Sequence, residues 1–102
     1  MSAYMIYLRD EITDQKEMDI YNEESKKAPH EYEARPLAFY GKTVTLEGPE
    51  VDGATIIEFK NIEEAKATYD NPVYQEAMKH RLKGAKYRVF VIEGLPGGDL
   101  NG

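Results

Sequence analysis

Two rhythms of hydrophobic spacing alternate along this chain. From Ala3 to Arg9 the period is two, with Tyr4, Ile6 and Leu8 facing one way and Met5 and Tyr7 the other, which predicts a strand apolar on both faces. Asp14 with Glu17 three residues on forms a capping box, opening a helix with Met18, Tyr21, Ser25 and Ala28 near one face. The charges from Glu23 to Lys27 make a solvated side, and Pro29 ends or kinks the helix, with room for one more turn over His30 to Ala34. A second strand is predicted over Leu37 to Leu46, with Gly41 as a bulge or bend, followed by the turn-rich connector Glu47 to Gly53.

The segment from Ala54 to Leu82 organises the rest. Ala54 to Phe59 is a β-branched, apolar run broken only by Glu58, and predicts a third strand. Asn61 caps the following helix with Glu64 at the reciprocal position, and Ile62, Ala65 and Tyr69 fall on its inner face. Asn71-Pro72 then interrupts: Asn is a good cap, and Pro suits a first helical position, where its missing N–H has no partner to lose. A second helical piece places Val73, Ala77 and Arg81 on one stripe with Tyr74 and Met78 beside it, closing near Gly84 behind Lys79, His80, Arg81 and Lys83. Lys86 to Glu93 alternates again as a fourth strand, and residues 95–102 predict a flexible Gly-rich tail.

The order β-α-β-β-α-β predicts an α+β, ferredoxin-like domain over residues 1–94: a four-stranded antiparallel sheet with two helices on one face. Two helices cover only one face of a sheet. The first and fourth strands carry large apolar residues on both, so a homodimer with sheet packed on sheet is expected.

Composition narrows the partners. At 102 residues there is room for one core. A net charge of −6 and a pI near 4.9 argue against nucleic acid as a partner, since that needs a basic face. No run of membrane-spanning length and no signal peptide is recognisable, and the absence of Cys fits a reducing, cytoplasmic setting. Eight Tyr and no Trp supply rings with a polar end, suited to interfaces and pocket walls.

Among candidate chemical groups, Glu58 stands out, because a carboxylate in an apolar central strand is costly to bury unless paired or protonated. It reads either as a general acid or base or an orienting group lining a cavity, or as a buried ion-pair partner for Arg81, Arg88 or Arg9, or as a strand end reaching water. Tyr69 and Tyr74 flank the helix break, where phenols either donate to a ligand or pack in the core or dimer interface. Arg81 either clamps an anion or pairs with Glu58. His30 and His80 have no metal-ligand spacing, no nucleophile motif or phosphate loop occurs, and neither metal nor cofactor is expected.

Ile57-Glu58-Phe59, Glu64-Ala65, Tyr69, Tyr74-Gln75 and Arg81, with Leu46-Glu47-Gly48 upstream and Glu93-Gly94 downstream, resemble the signature of the bacterial family catalogued as domain of unknown function 1330. The resemblance spans roughly Tyr4 to Gly94. Thr68 stands where the family carries Trp, Asn71 where it carries Ser, and Glu33-Ala34 where it carries a glycine pair. What the resemblance implies is a dimeric α+β barrel with no established reaction. Its wider superfamily includes cofactor-free monooxygenases, isomerases, cyclases and ligand-sensing domains, so function does not follow from fold. Three readings stand: a small-molecule enzyme using acid–base chemistry, with Glu58 as acid or base, Tyr69 and Tyr74 as donors and Arg81 as anion anchor; a ligand-binding or sensing dimer without turnover; or a structural dimerisation module.

Overall fold

A computed structural model describes residues 1–96, in the order β1 (Ala3–Ile12), α1 (Gln15–Ser25), β2 (Ala34–Phe39), β3 (Gly53–Phe59), α2 (Ile62–Asp70), α3 (Pro72–Gly84) and β4 (Ala85–Glu93). The four strands form one antiparallel sheet in the order β2-β3-β1-β4. The fold is the expected α+β, ferredoxin-like arrangement, with the second helical layer split into α2 and α3 at Asn71-Pro72. Of the expected tail, residues 97–102 lie outside the described residues. No described helix is long and apolar enough to cross a membrane.

Local chemistry explains the boundaries. Asp14 accepts from the backbone N–H groups of Lys16 and Glu17 at 3.0 and 3.4 Å, and Asn61 Oδ1 accepts from Glu64 N–H at 2.8 Å. Asn71 closes α2 and caps α3 by accepting from Val73 N–H at 2.9 Å, with Pro72 as the first helical residue. Gln75 donates from Nε2 to the Tyr69 carbonyl at 2.7 Å, satisfying an end of α2 that the break would leave bare.

The core lies on one side of the sheet. Met5, Tyr7, Phe59 and Ala65 are buried with Val89 and Val91 packed against them, and Met18, Tyr21, Ala77 and Ala85 form an adjoining cluster where α1 meets α3. Strand alternation sends Tyr4, Ile6, Leu8, Ile56, Phe90 and Ile92 to the opposite side, where no helix packs.

The second strand departs from expectation. It runs over Ala34–Phe39 rather than Leu37 to Leu46, its irregularity falls between Pro36 and Ala38 rather than at Gly41, and no helical turn occupies His30 to Ala34. The partner decides this. β3 begins at Gly53, the last register pair is Phe39 with Thr55, and beyond it Lys42 to Leu46 has no strand to bond. Tyr40 turns the chain away with a φ of 53°, a conformation uncommon for a residue with a bulky side chain. It is held by a 2.7 Å hydrogen bond between its hydroxyl and that of Tyr87 and by the Arg9 guanidinium 4.7 Å from its ring centre.

Gly84 ends α3 where the start of α1 crosses it. Its carbonyl accepts from Thr13 and Asp14 N–H at 2.8 and 3.0 Å, and a Cβ there would meet the Asp14 carbonyl oxygen and Glu17 Cβ, each at 2.9 Å. Gly→Ala in a helix ordinarily stabilises. Here Gly84→Ala is expected to cost about 2 kcal/mol, as overpacking against backbone does, measured by urea unfolding; a gain in stability would show that the crossing relaxes freely.

Candidate functional site

Between the sheet and the helices lies a cavity of about 230 Å³. Its floor is the helix-facing row of the sheet: Met5 and Tyr7 from β1, Thr55, Ile57 and Phe59 from β3, and Phe39 from β2. Phe39, Thr55 and Tyr7 stand side by side across three strands, because Thr55 is the register partner of both others. Tyr21 and Ser25 of α1, with Tyr69 and Tyr74 at the helix break, complete the walls; the exposed Asn22, Pro29 and His30 stand at the mouth. An apolar cavity near 150 Å³ accommodates benzene, so this one has room for a substituted single ring or a short branched chain.

Three phenols meet at the wall. Tyr7 donates to the Tyr74 hydroxyl at 3.0 Å, and the Tyr21 and Tyr74 hydroxyls are 2.8 Å apart. A hydroxyl has one proton and two lone pairs. When Tyr7 and Tyr21 both donate to Tyr74, both lone pairs are used and the Tyr74 proton is left for another acceptor. Burial, reinforced by the neighbouring Tyr74, pushes the Tyr7 and Tyr21 phenols far above the ordinary tyrosine value. Both therefore stay protonated donors at physiological pH, and neither serves as a base.

Behind this cluster sits Arg81, 3% exposed, on the inner stripe of α3. Its guanidinium carbon lies 4.8, 5.7 and 5.8 Å from the ring centres of Tyr87, Tyr7 and Tyr21. Burial works against its charge, but the surrounding phenol oxygens of Tyr74, Tyr21 and Tyr7 outweigh it and raise its pKa above the ordinary arginine value. No carboxylate among the described residues lies within 4 Å of it, and its Nε has no hydrogen-bond partner.

Of the four residues singled out from sequence, the structure brings together three. Tyr69 and Tyr74 are neighbours, ring centres 5.7 Å apart, with Arg81 behind them; the Tyr69 hydroxyl is directed to Met78 Sδ at 3.0 Å. Glu58 is elsewhere. It faces the other side of the sheet, paired with Arg35 at 2.8 Å across the β2–β3 register, in a shallow recess with Ser2, Glu33 and Lys60. None of the partners expected for it is used: Arg9 pairs with Asp52, Arg88 with Asp10, and Arg81 is walled off by the sheet. His80 bonds Glu17 at 2.6 Å, tying α3 to α1, so the expected reciprocal cap by Glu17 gives way to a tertiary contact. Tyr7, Tyr21 and Thr55 were not singled out. The abundance of tyrosine is their one trace in the sequence.

The family model described as Domain of unknown function (DUF1330) matches residues 2–95. This chain belongs to that family. Of the residues that carry the resemblance, Tyr74 is the hub of the cavity wall, Gln75 seals the helix break, and Arg81 lies beneath. Among solved structures, the DUF1330 chain is similar to the protein of unknown function RPA0582 of Rhodopseudomonas palustris, with a TM-score of 0.72 at 18% identity over 93% of this chain and 83% of that one. It is also similar to an ethyl tert-butyl ether degradation (EthD) family protein of Bacillus halodurans C-125, with a TM-score of 0.60 at 14% identity over 93% and 100%. A dimeric protein of unknown function with a ferredoxin-like fold from Bacteroides fragilis NCTC 9343 gives 0.56 at 15% over 90% and 95%. At these identities the likeness concerns the fold. Comparison with curated proteins finds no match.

Proposed function

We propose that this DUF1330 protein takes up one compact, mostly apolar molecule in the cavity of each subunit and holds an acceptor oxygen of it at the Tyr74 hydroxyl. The observation that carries this reading is the convergence of Tyr7 and Tyr21 on the Tyr74 oxygen at the cavity wall. With Tyr21 as the donor to Tyr74, the chain ends in a free O–H, preorganised for an oxygen that gains negative charge during a reaction. The chemistry this serves is proton transfer beside a carbonyl, as in isomerisation or cyclisation. His30 at the mouth is the one imidazole of the lining among the described residues, and takes the acid–base place proposed from sequence for Glu58. A non-catalytic sensing role is the second reading, favoured by the absence of any Asp or Glu from the lining.

The reading includes a homodimer closed through the open sheet face, in keeping with the dimeric ferredoxin-like neighbour and with the apolar row Tyr4, Ile6, Leu8, Phe90 and Ile92. The cysteine-free, acidic sequence fits the cytoplasm.

Native mass spectrometry of the purified protein, followed by denaturation, tests both parts. The expected mass is twice 11.7 kDa plus a fixed small increment that denaturation removes. Returning the released molecule to the protein in heavy water then separates the two roles: deuterium appearing next to its carbonyl marks an enzyme, an unchanged molecule a sensor. Bare monomers that bind no small molecule would overturn the reading.

A further inference from the structure

Resting on that pocket reading, we propose that the molecule held in the cavity carries a negatively charged oxygen, a carboxylate or an enolate, received by the hydroxyls of Tyr74 and Thr55 in the field of Arg81.

Two independent observations point there. The first is charge. The chain as a whole is acidic, yet among the described residues no Asp, Glu, Lys or Arg lines the cavity. Behind the hydroxyl cluster lies Arg81, buried, 5.7 and 5.8 Å from the ring centres of Tyr7 and Tyr21, and without a carboxylate partner among the described residues. The phenol oxygens of Tyr74, Tyr21 and Tyr7 and the aromatic faces hold this cation with dipoles, leaving it without a carboxylate counter-ion. Arg81 does not line the cavity. Its charge acts through the phenols, making Tyr7 and Tyr21 stronger donors to Tyr74, and Tyr74 in turn a stronger donor to an anion.

The second is Thr55. It is 2% exposed, lies in the floor between Tyr7 and Phe39, and its Oγ1 has no hydrogen-bond partner. Most buried polar atoms are paired, so this covered orphan beside the cavity calls for an acceptor that the occupant brings as the floor adjusts around it. The two features are complementary: a hydroxyl on the floor, a hydroxyl on the wall, and one positive charge behind.

Two probe pairs matched in shape test this by NMR titration of the whole protein. Benzoate against benzamide reports a carboxylate; dimedone, ionised to its enolate near neutral pH, against 3,3-dimethylcyclohexanone reports an enolate. The expected result is that one anion binds at least about tenfold tighter than its neutral counterpart. The preference should persist up to roughly 0.5 M salt, because a buried charge is weakly screened whereas a surface lysine is not.

Thr55→Val keeps the shape and removes the hydroxyl. It should weaken the anion about tenfold while raising the Tm of the free protein by about 4 °C, since the orphan disappears. A merely structural threonine would give the opposite sign in Tm. Arg81→Gln should erase the preference; where that variant does not fold, the salt series and Thr55→Val decide. Equal binding of charged and neutral probes would overturn the charge assignment and leave the pocket standing. Binding of none of the four would overturn the pocket reading with it. Unchanged anion affinity in Thr55→Val would remove Thr55 from the site.

Discussion

Tyr74→Phe is expected to cost about 2 kcal/mol of stability and to weaken any ligand of the cavity at least about tenfold. The substitution removes one oxygen and nothing else, but that oxygen receives Tyr7 at 3.0 Å and lies 2.8 Å from Tyr21. Both remaining phenols are buried and held neutral, so Tyr7 loses its acceptor and Tyr21 its hydrogen-bond partner. Tyr69→Phe is the control, similar in burial but with a hydroxyl that meets only the Met78 sulfur. Its loss should cost under about 1 kcal/mol, as thioether contacts are weak, and should leave affinity within about twofold. Urea unfolding and titration with a bound probe read both quantities. Equal effects from the two variants would mean that the hydroxyl cluster is ordinary packing and not the core of a site.

Phe90→Asp is expected to convert the proposed homodimer to monomers. Phe90 is 45% exposed on the open face, beside Ile6 in the register and near Ile92 at 53%. A carboxylate there is solvated in a monomer and unpaired in a sheet-on-sheet interface, and twofold symmetry places it twice. The dissociation constant should rise by about 10³-fold or more, which is roughly 4 kcal/mol, while the unfolding of each chain changes little because the residue faces away from the core. Analytical ultracentrifugation across a concentration series measures the change. A variant that stays at twice the chain mass would place the interface elsewhere, on the helices or on the unpaired segment that carries Val44 and Leu46, 73% and 89% exposed.

The two predictions probe opposite faces of one sheet. Met5 and Tyr7 look into the cavity while Ile6, between them, looks away, so a strand apolar on both faces is available to the proposed ligand on one side and the proposed partner on the other. Any ordering of the sheet by dimerisation therefore bears on the cavity floor.

Local sequence determined what local physics controls. Asp14, Asn61 and Asn71-Pro72 mark three helix starts, because a cap acts on N–H groups two or three residues away, and the structure places all three as expected. The strand alternation in β1 and β4 likewise sorted residues into two faces, and with the element order it led to the ferredoxin-like sheet. Tyr74 stood out because it flanks the helix break at Asn71-Pro72, and Arg81 because a cation on the stripe of Val73 and Ala77 needs an anion to clamp or a carboxylate to pair.

Tertiary structure decided the rest. Lys42 to Leu46 has strand propensity and no strand, because pairing needs a neighbour and β3 offers none beyond Gly53. Glu58 looked like a cavity carboxylate, but which face of β3 meets the helices depends on packing, and its own alternation turned it toward Arg35. The cluster of Tyr7, Tyr21 and Tyr74 joins residues 67 and 53 positions apart. No local pattern records such a pairing; only the stacking of α1 and α3 on one face of the sheet brings those three hydroxyls, and the orphan Thr55 beside them, to a common cavity.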